Sequence, residues 1–68
     1  MTHEQLIFAA DSRLRTCLNA YRATEILTVL ANYKEAHQMS LDLNQVQEER
    51  NKWTALRSLW QGKLERLI

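Results

Sequence analysis

The sequence has no proline, one glycine (Gly62) and one cysteine (Cys17). A single cysteine excludes an internal disulfide framework. The two histidines, His3 and His37, are far apart in sequence, and neither has a second ligand at metal-binding spacing. We therefore expect no metal and no cofactor, assign neither histidine a functional role, and place His37 on a solvated face late in its helix, where a protonated imidazole is favourable. A chain of 68 residues without such supports must rely on helix packing and association.

Neither the net charge nor the hydropathy of the sequence points to a particular class of partner. Nine basic and eight acidic residues give a net charge of +1, so nothing global favours a polyanionic partner. No apolar run approaches the roughly 20 residues of a membrane span. The first residues also lack the basic and apolar regions of a signal peptide. Together with the unpaired cysteine, these absences predict a cytoplasmic protein with no membrane partner.

No catalytic motif is present either. The sequence contains no Ser/His/Asp set, no glycine-rich phosphate loop and no paired histidines on one helix turn. Its carboxylates are scattered, and a helical hairpin offers no concave site in which a substrate could be desolvated. We expect that the protein is not an enzyme and has no catalytic, cofactor-binding or metal residues.

Helix formers dominate what remains, and a first helix has a clear start. Thr2 can cap it, and Gln5 stands at the third helical position of a capping box. A first apolar stripe follows at helical spacing: Leu6, Ile7, Ala10, Leu14, Cys17, Leu18 and Tyr21. A second arc lies more than a third of a turn away from it: Ile26, Leu27, Val29, Leu30 and Tyr33.

The change of phase between these two arcs allows two interpretations. Since no glycine or proline marks a break, the pattern favours one continuous or kinked helix to about residue 38. The alternative is a break near residues 22–25, with Thr24 capping a new helix.

A second helix start is predicted after a turn near Met39 to Leu41. Asp42 can cap, Gln45 stands at the third helical position, and Leu41 and Val46 are spaced as a hydrophobic staple. The last helix should then run from Leu43 nearly to the end. Its stripe includes residues at heptad spacing, which favours a shallow coiled-coil-like contact. These residues are Val46, Trp53, Trp60 and Leu67.

The predicted fold is all-α, with residues 1–68 forming a single helical domain. Two long amphipathic helices form an antiparallel hairpin that completes a helical bundle by association. The first stripe should face the heptad residues of the last helix, which leaves the second arc partly uncovered. In size and hairpin layout the chain resembles the small helical co-chaperones that hold needle subunits of bacterial type III secretion systems. That resemblance covers layout and no motif, so it implies no site residues.

The uncovered apolar surface predicts a non-catalytic protein-binding module, such as an adaptor, inhibitor or co-chaperone. Its partner would be another protein or a second copy of itself. Tryptophan is the residue most enriched at binding hot spots, so the two tryptophans join the predicted interface. The predicted partner-binding residues are Ile26, Leu30, Tyr33, Trp53, Trp60, Leu64 and Leu67.

The alternative function is a small dimeric regulator that binds nucleic acid. Its phosphate contacts would be Arg13, Arg15, Arg22, Lys52, Lys63 and Arg66. A nucleic-acid surface combines cations with stacking rings. On a helical wheel, Lys52, Lys63 and Arg66 instead fall opposite the tryptophan stripe, so this interpretation ranks second.

Overall fold

The computed structural model of the protein describes all 68 residues and consists of three α-helices without a strand. They are α1 (His3–Thr16), α2 (Ala20–Ser40) and α3 (Gln47–Leu67). The predicted all-α class is confirmed. None of the three helices has the length and apolar character that crossing a membrane requires.

The predicted start of α1 is confirmed in detail. The backbone N–H of Gln5 donates to the Thr2 hydroxyl at 3.1 Å, and the backbone N–H of Thr2 donates to Oε1 of Gln5 at 3.0 Å. This capping box satisfies backbone donors that have no partner within the helix. The helix then buries Leu6 and Ala10 and leaves Leu14 half-buried.

The chain breaks between α1 and α2, so the prediction of a continuous helix is wrong. Cys17 and Asn19 are extended, and Oδ1 of Asn19 accepts a hydrogen bond from the backbone N–H of Arg22 at 3.2 Å. A side-chain cap of this kind starts a helix without any glycine or proline. The alternative break near residues 22–25 was placed too late, because the Thr24 hydroxyl donates to the Ala20 carbonyl inside α2.

Helix α3 begins at Gln47, later than the predicted start at Leu43. Asp42 does not cap a helix; its carboxylate accepts from the backbone N–H of Asn44 at 2.9 Å, within the turn that follows α2. Such a local bond competes with helix formation. Val46 is the residue before α3 and makes no side-chain cap, while Leu41 and Val46 are both mostly exposed rather than stapled.

Helices α2 and α3 pack closely, and the short segment 41–46 links the end of α2 to the start of α3. They run antiparallel, since Glu25 in the first half of α2 shares a groove with Lys63 and Leu67 at the end of α3. The core draws on all three helices: Leu6, Ala10, Ile26, Val29, Leu30, Tyr33 and Leu64.

Apart from Leu27, which is exposed, the second apolar arc is therefore the centre of the core and not an uncovered surface. The predicted pairing of the first stripe with the last helix gives way to an α2–α3 hairpin against which α1 packs. The packing differs from the predicted one because the chain breaks at Asn19. As separate helices, α1 and α2 can approach one core from different directions.

Two neighbouring residues of α2 test this arrangement. Ile26 is fully buried and Leu27 is 55% exposed. We expect Ile26→Ala to lower the free energy of unfolding by about 2–5 kcal/mol, because it removes buried methyl groups and leaves a cavity. Leu27→Ala should change it by about 0.5 kcal/mol or less. Urea unfolding followed by circular dichroism measures both; equal effects would contradict the assigned core face.

Candidate functional site

The predicted partner-binding residues do not form one surface. Four of them, Ile26, Leu30, Tyr33 and Leu64, are buried in the chain's own core and offer no area to a partner in this structure. The three on α2 are covered because α3 and α1 both pack against the arc that was predicted to stay partly open, and Leu64 of α3 is buried in the same core. The remaining three, Trp53, Trp60 and Leu67, are half-buried, and the last two pack at the edge of the core.

Exposed apolar side chains lie instead at the junction of α1 and α2. Leu18 is fully exposed and Tyr21 is 83% exposed. Both were predicted to belong to the core-facing stripe of a first helix. The extended backbone at the break removes them from that stripe. The sequence signal that could have revealed this is Asn19, a preferred cap residue directly between them.

Beyond this junction, one face of α2 is exposed and carries no charge. At 3.6 residues per turn, five exposed residues fall within an arc of about 100°. We call them the outer face of α2: Ala20, Thr24, Leu27, Thr28 and Ala31. Over the twelve positions from Ala20 to Ala31 this face is about 18 Å long, at 1.5 Å per residue.

The hydroxyl groups of the outer face are satisfied within the helix itself. The Thr24 hydroxyl donates to the Ala20 carbonyl at 2.9 Å, and the Thr28 hydroxyl donates to the Thr24 carbonyl at 3.0 Å. Asn32 continues the series by donating its side-chain N–H to the Thr28 carbonyl at 2.9 Å. Because each hydroxyl is already a donor, the outer face can be covered without leaving a donor unpaired.

An apolar groove separate from the outer face of α2 lies beside α1. Met1, Phe8, Ala9 and Ile68 line it, and Phe8 is largely exposed. Arg13 stands at its edge. This groove joins the first helix to the end of the last one, and none of its residues was among the predicted protein-binding residues, although Arg13 was a predicted phosphate contact.

The two histidines, which the sequence left without a role, meet in space. The rings of His3 and His37 stack with their centroids 3.6 Å apart and their planes at 10°. Nδ1 of His3 lies 2.7 Å from the hydroxyl of Tyr33. Nδ1 of His37 is buried and has no hydrogen-bond partner. No sequence pattern could have paired residues from the first turn of α1 and the last turn of α2.

Burial and neighbouring charges bias the protonation of this cluster. Burial lowers the pKa of His37, and the nearby His3 and Arg57 lower it further. Burial also raises the pKa of Tyr33, with Arg57 opposing this shift and Glu65 adding to it. Arg57 thus faces the cluster from α3, and the environment favours a neutral imidazole at His37.

The basic residues of α3 are less separated from the aromatics than predicted. Nζ of Lys63 lies 4.8 Å from the ring centroid of Trp60, so the prediction that Lys63 lies opposite the tryptophan stripe is wrong. Residues three apart are neighbours on a helix surface, which accounts for the contact. Trp60 and Lys63 line a groove between α2 and α3. Arg66 lines it too, and so does the oppositely charged Glu25.

Neither a metal site nor a known relative indicates what these surfaces bind. No three His, Cys, Asp or Glu side chains are grouped so that they could hold a metal ion. No protein-family model matches the chain, and comparison with curated proteins and with solved structures gave no match. The function must therefore be inferred from the surface of the protein itself.

The hydrogen bond between His3 and Tyr33 can be tested with a matched pair of tyrosines. Tyr33→Phe removes the hydroxyl that contacts His3 and should lower the free energy of unfolding by about 1 kcal/mol at pH 7.5. Tyr21→Phe alters an exposed hydroxyl and should have no measurable effect. Urea unfolding gives both values, and equal stability of the two variants would show that the contact contributes nothing.

Proposed function

We propose that the chain is a small helical protein-binding module, without catalytic activity, that docks an apolar helix of a partner protein on the outer face of α2. The observation that supports this proposal is an exposed, uncharged helix face whose hydroxyls are internally bonded. Leu18 and Tyr21 extend the apolar surface at the start of that face. Docking there would complete a helical bundle around the α2–α3 hairpin.

The accessible area of the chain is consistent with association. The surface measures 4971 Å² for a mass of 8.0 kDa. A monomeric globular protein of this mass exposes about 4,450 Å². The difference of about 500 Å² is comparable in order to the roughly 800 Å² that each partner buries in a standard interface. The chain thus has surface to contribute without unfolding.

The chemistry of the partner follows from that of the outer face. A charged side chain placed on it would lose water and find no opposite charge, which is unfavourable. The partner helix should therefore present apolar residues at intervals of three and four, as in other helix-in-groove contacts. Lys34 and Glu35, exposed just beyond Ala31, would form part of the polar rim. Adaptor, inhibitor and co-chaperone roles all fit such a module.

Two leucines of nearly equal exposure provide the test. Leu27 lies on the outer face and is 55% exposed, whereas Leu59 lies on α3 and is 52% exposed. Leu27→Glu should weaken partner binding at least tenfold because it buries a charge in the interface. Leu59→Glu should bind as the unsubstituted chain does. Chemical cross-linking with quantitative mass spectrometry measures partner capture, and circular dichroism checks that both variants remain folded.

Self-association is measured in parallel, by sedimentation velocity over a range of protein concentrations. A dimer that Leu27→Glu alone dissociates would identify the partner as a second copy. If both leucine variants retain the same partners, or lose them equally, the outer face of α2 is not the docking site.

A specific contact keeps nucleic-acid binding as the second candidate. The ring of Trp60 shares a groove with two cations, Lys63 and Arg66. Single-strand binding surfaces combine aromatic rings and cations in this way. Glu25 in the same groove opposes a polyanion. Titration with labelled single-stranded oligonucleotides at low salt tests this function. Affinity that falls steeply with added salt and is lost in Lys63→Glu would favour it over protein binding.

A further inference from the structure

The stacked histidines join two helices that are otherwise held together by few side chains. His3 belongs to the first turn of α1, and Leu6 and Ala10 are the two residues of this helix that are buried. His37 belongs to the last turn of α2. The ring stack and the hydrogen bond between His3 and Tyr33 therefore fasten the start of α1 to the hairpin.

This arrangement suits uncharged imidazoles and does not suit two charged ones. At a centroid separation of 3.6 Å, two protonated rings would repel each other strongly. A proton on Nδ1 of His37 would in addition be buried without an acceptor. A neutral pair meets neither penalty.

We propose that the His3–His37 stack is a pH-sensitive latch, which holds α1 against the α2–α3 hairpin at neutral pH and releases it at mildly acidic pH. Release removes Leu6 and Ala10 from the core and uncovers the apolar residues of α2 beneath them. The device goes beyond partner docking on the outer face of α2 and does not depend on it.

The groups around the pair do not compensate a positive charge on His37. From α1 the facing group is His3, and from α3 it is Arg57, which is itself cationic. On α2 the neighbouring group is Tyr33, which remains a neutral phenol. Glu65 of α3 acts on Tyr33 and not on His37. The C-terminus of α2 favours a cation in its last turn. Burial, His3 and Arg57 act against that cation and lower the pKa of His37.

The direction of the pH effect follows from proton linkage. Because the folded chain lowers the pKa of His37, it binds fewer protons there than the unfolded or released chain does. The stabilisation is fully present above the ordinary histidine pKa of about 6.5. It is lost as the pH falls from that value towards the lower pKa of the folded state. Per proton taken up, the opening equilibrium changes by up to about tenfold for each pH unit.

The experiment compares hydrogen-exchange protection of α1 and α3 amides in the full chain at pH 7.5 and 5.5, corrected for intrinsic exchange rates. His3 and His37 are the only histidines, and histidine is the side chain whose ordinary pKa lies within this range. We expect the protection of α1 relative to α3 to fall several-fold at pH 5.5, by up to about tenfold for the proton on His37. Unchanged relative protection would overturn the latch, and so would equal losses in both helices, which would indicate global unfolding.

Two variants separate the histidine pair from other causes of a pH effect. His37→Phe keeps an aromatic ring in the stack but cannot be protonated, so its α1 protection should vary less than twofold between the two pH values. His3→Phe should behave alike and carries the comparison if His37→Phe does not fold. Persistence of the several-fold change in either folded variant would overturn the proposal.

Discussion

The fold depends on one hydrogen bond at a break in the chain, from the Arg22 backbone N–H to the side chain of Asn19. Without this break, the apolar stripe of α1 and the apolar arc of α2 would lie on different sides of one straight helix. A straight helix cannot turn both to the same core. The extended residues Cys17 and Asn19 remove the conflict, because α1 and α2 become separate helices that reach Leu64 of α3 from different directions.

Local capping explains most of what the sequence could and could not predict. The Thr2–Gln5 box uses neighbours in sequence and was recognised from spacing alone. The break at Asn19 contains no glycine or proline, because a side-chain cap needs neither, and Thr24 offered a competing cap residue a few positions later. Asp42 had the spacing of a cap but bonds within a turn instead, which delays α3 to Gln47. The histidine stack was beyond prediction because only the tertiary fold brings residues 3 and 37 together.

The small size of the core makes the remaining surfaces consequential. Only eight of the 68 residues are buried, all of them apolar or aromatic, so each contact carries a large share of a marginal stability. The core takes one side of α2, from Ile26 to Ala36. The opposite side of the same helix is then left exposed, and between Ala20 and Ala31 it carries no charge that would keep it hydrated. A partner helix covering it would add buried area that three short helices cannot supply themselves.

The outer face and the histidine latch lie on opposite sides of α2, which determines how they can influence each other. A partner shifts the latch only if its affinity differs between the closed and released states of α1. Contacts confined to Thr24, Leu27 and Ala31 involve α2 alone and leave that equilibrium unchanged. Leu18 and Tyr21 adjoin the break that connects α1 to α2, and a partner that also contacts them binds a surface whose shape changes when α1 is released. Coupling between pH and docking would therefore pass through this junction, where the side chain of Asn19 caps α2.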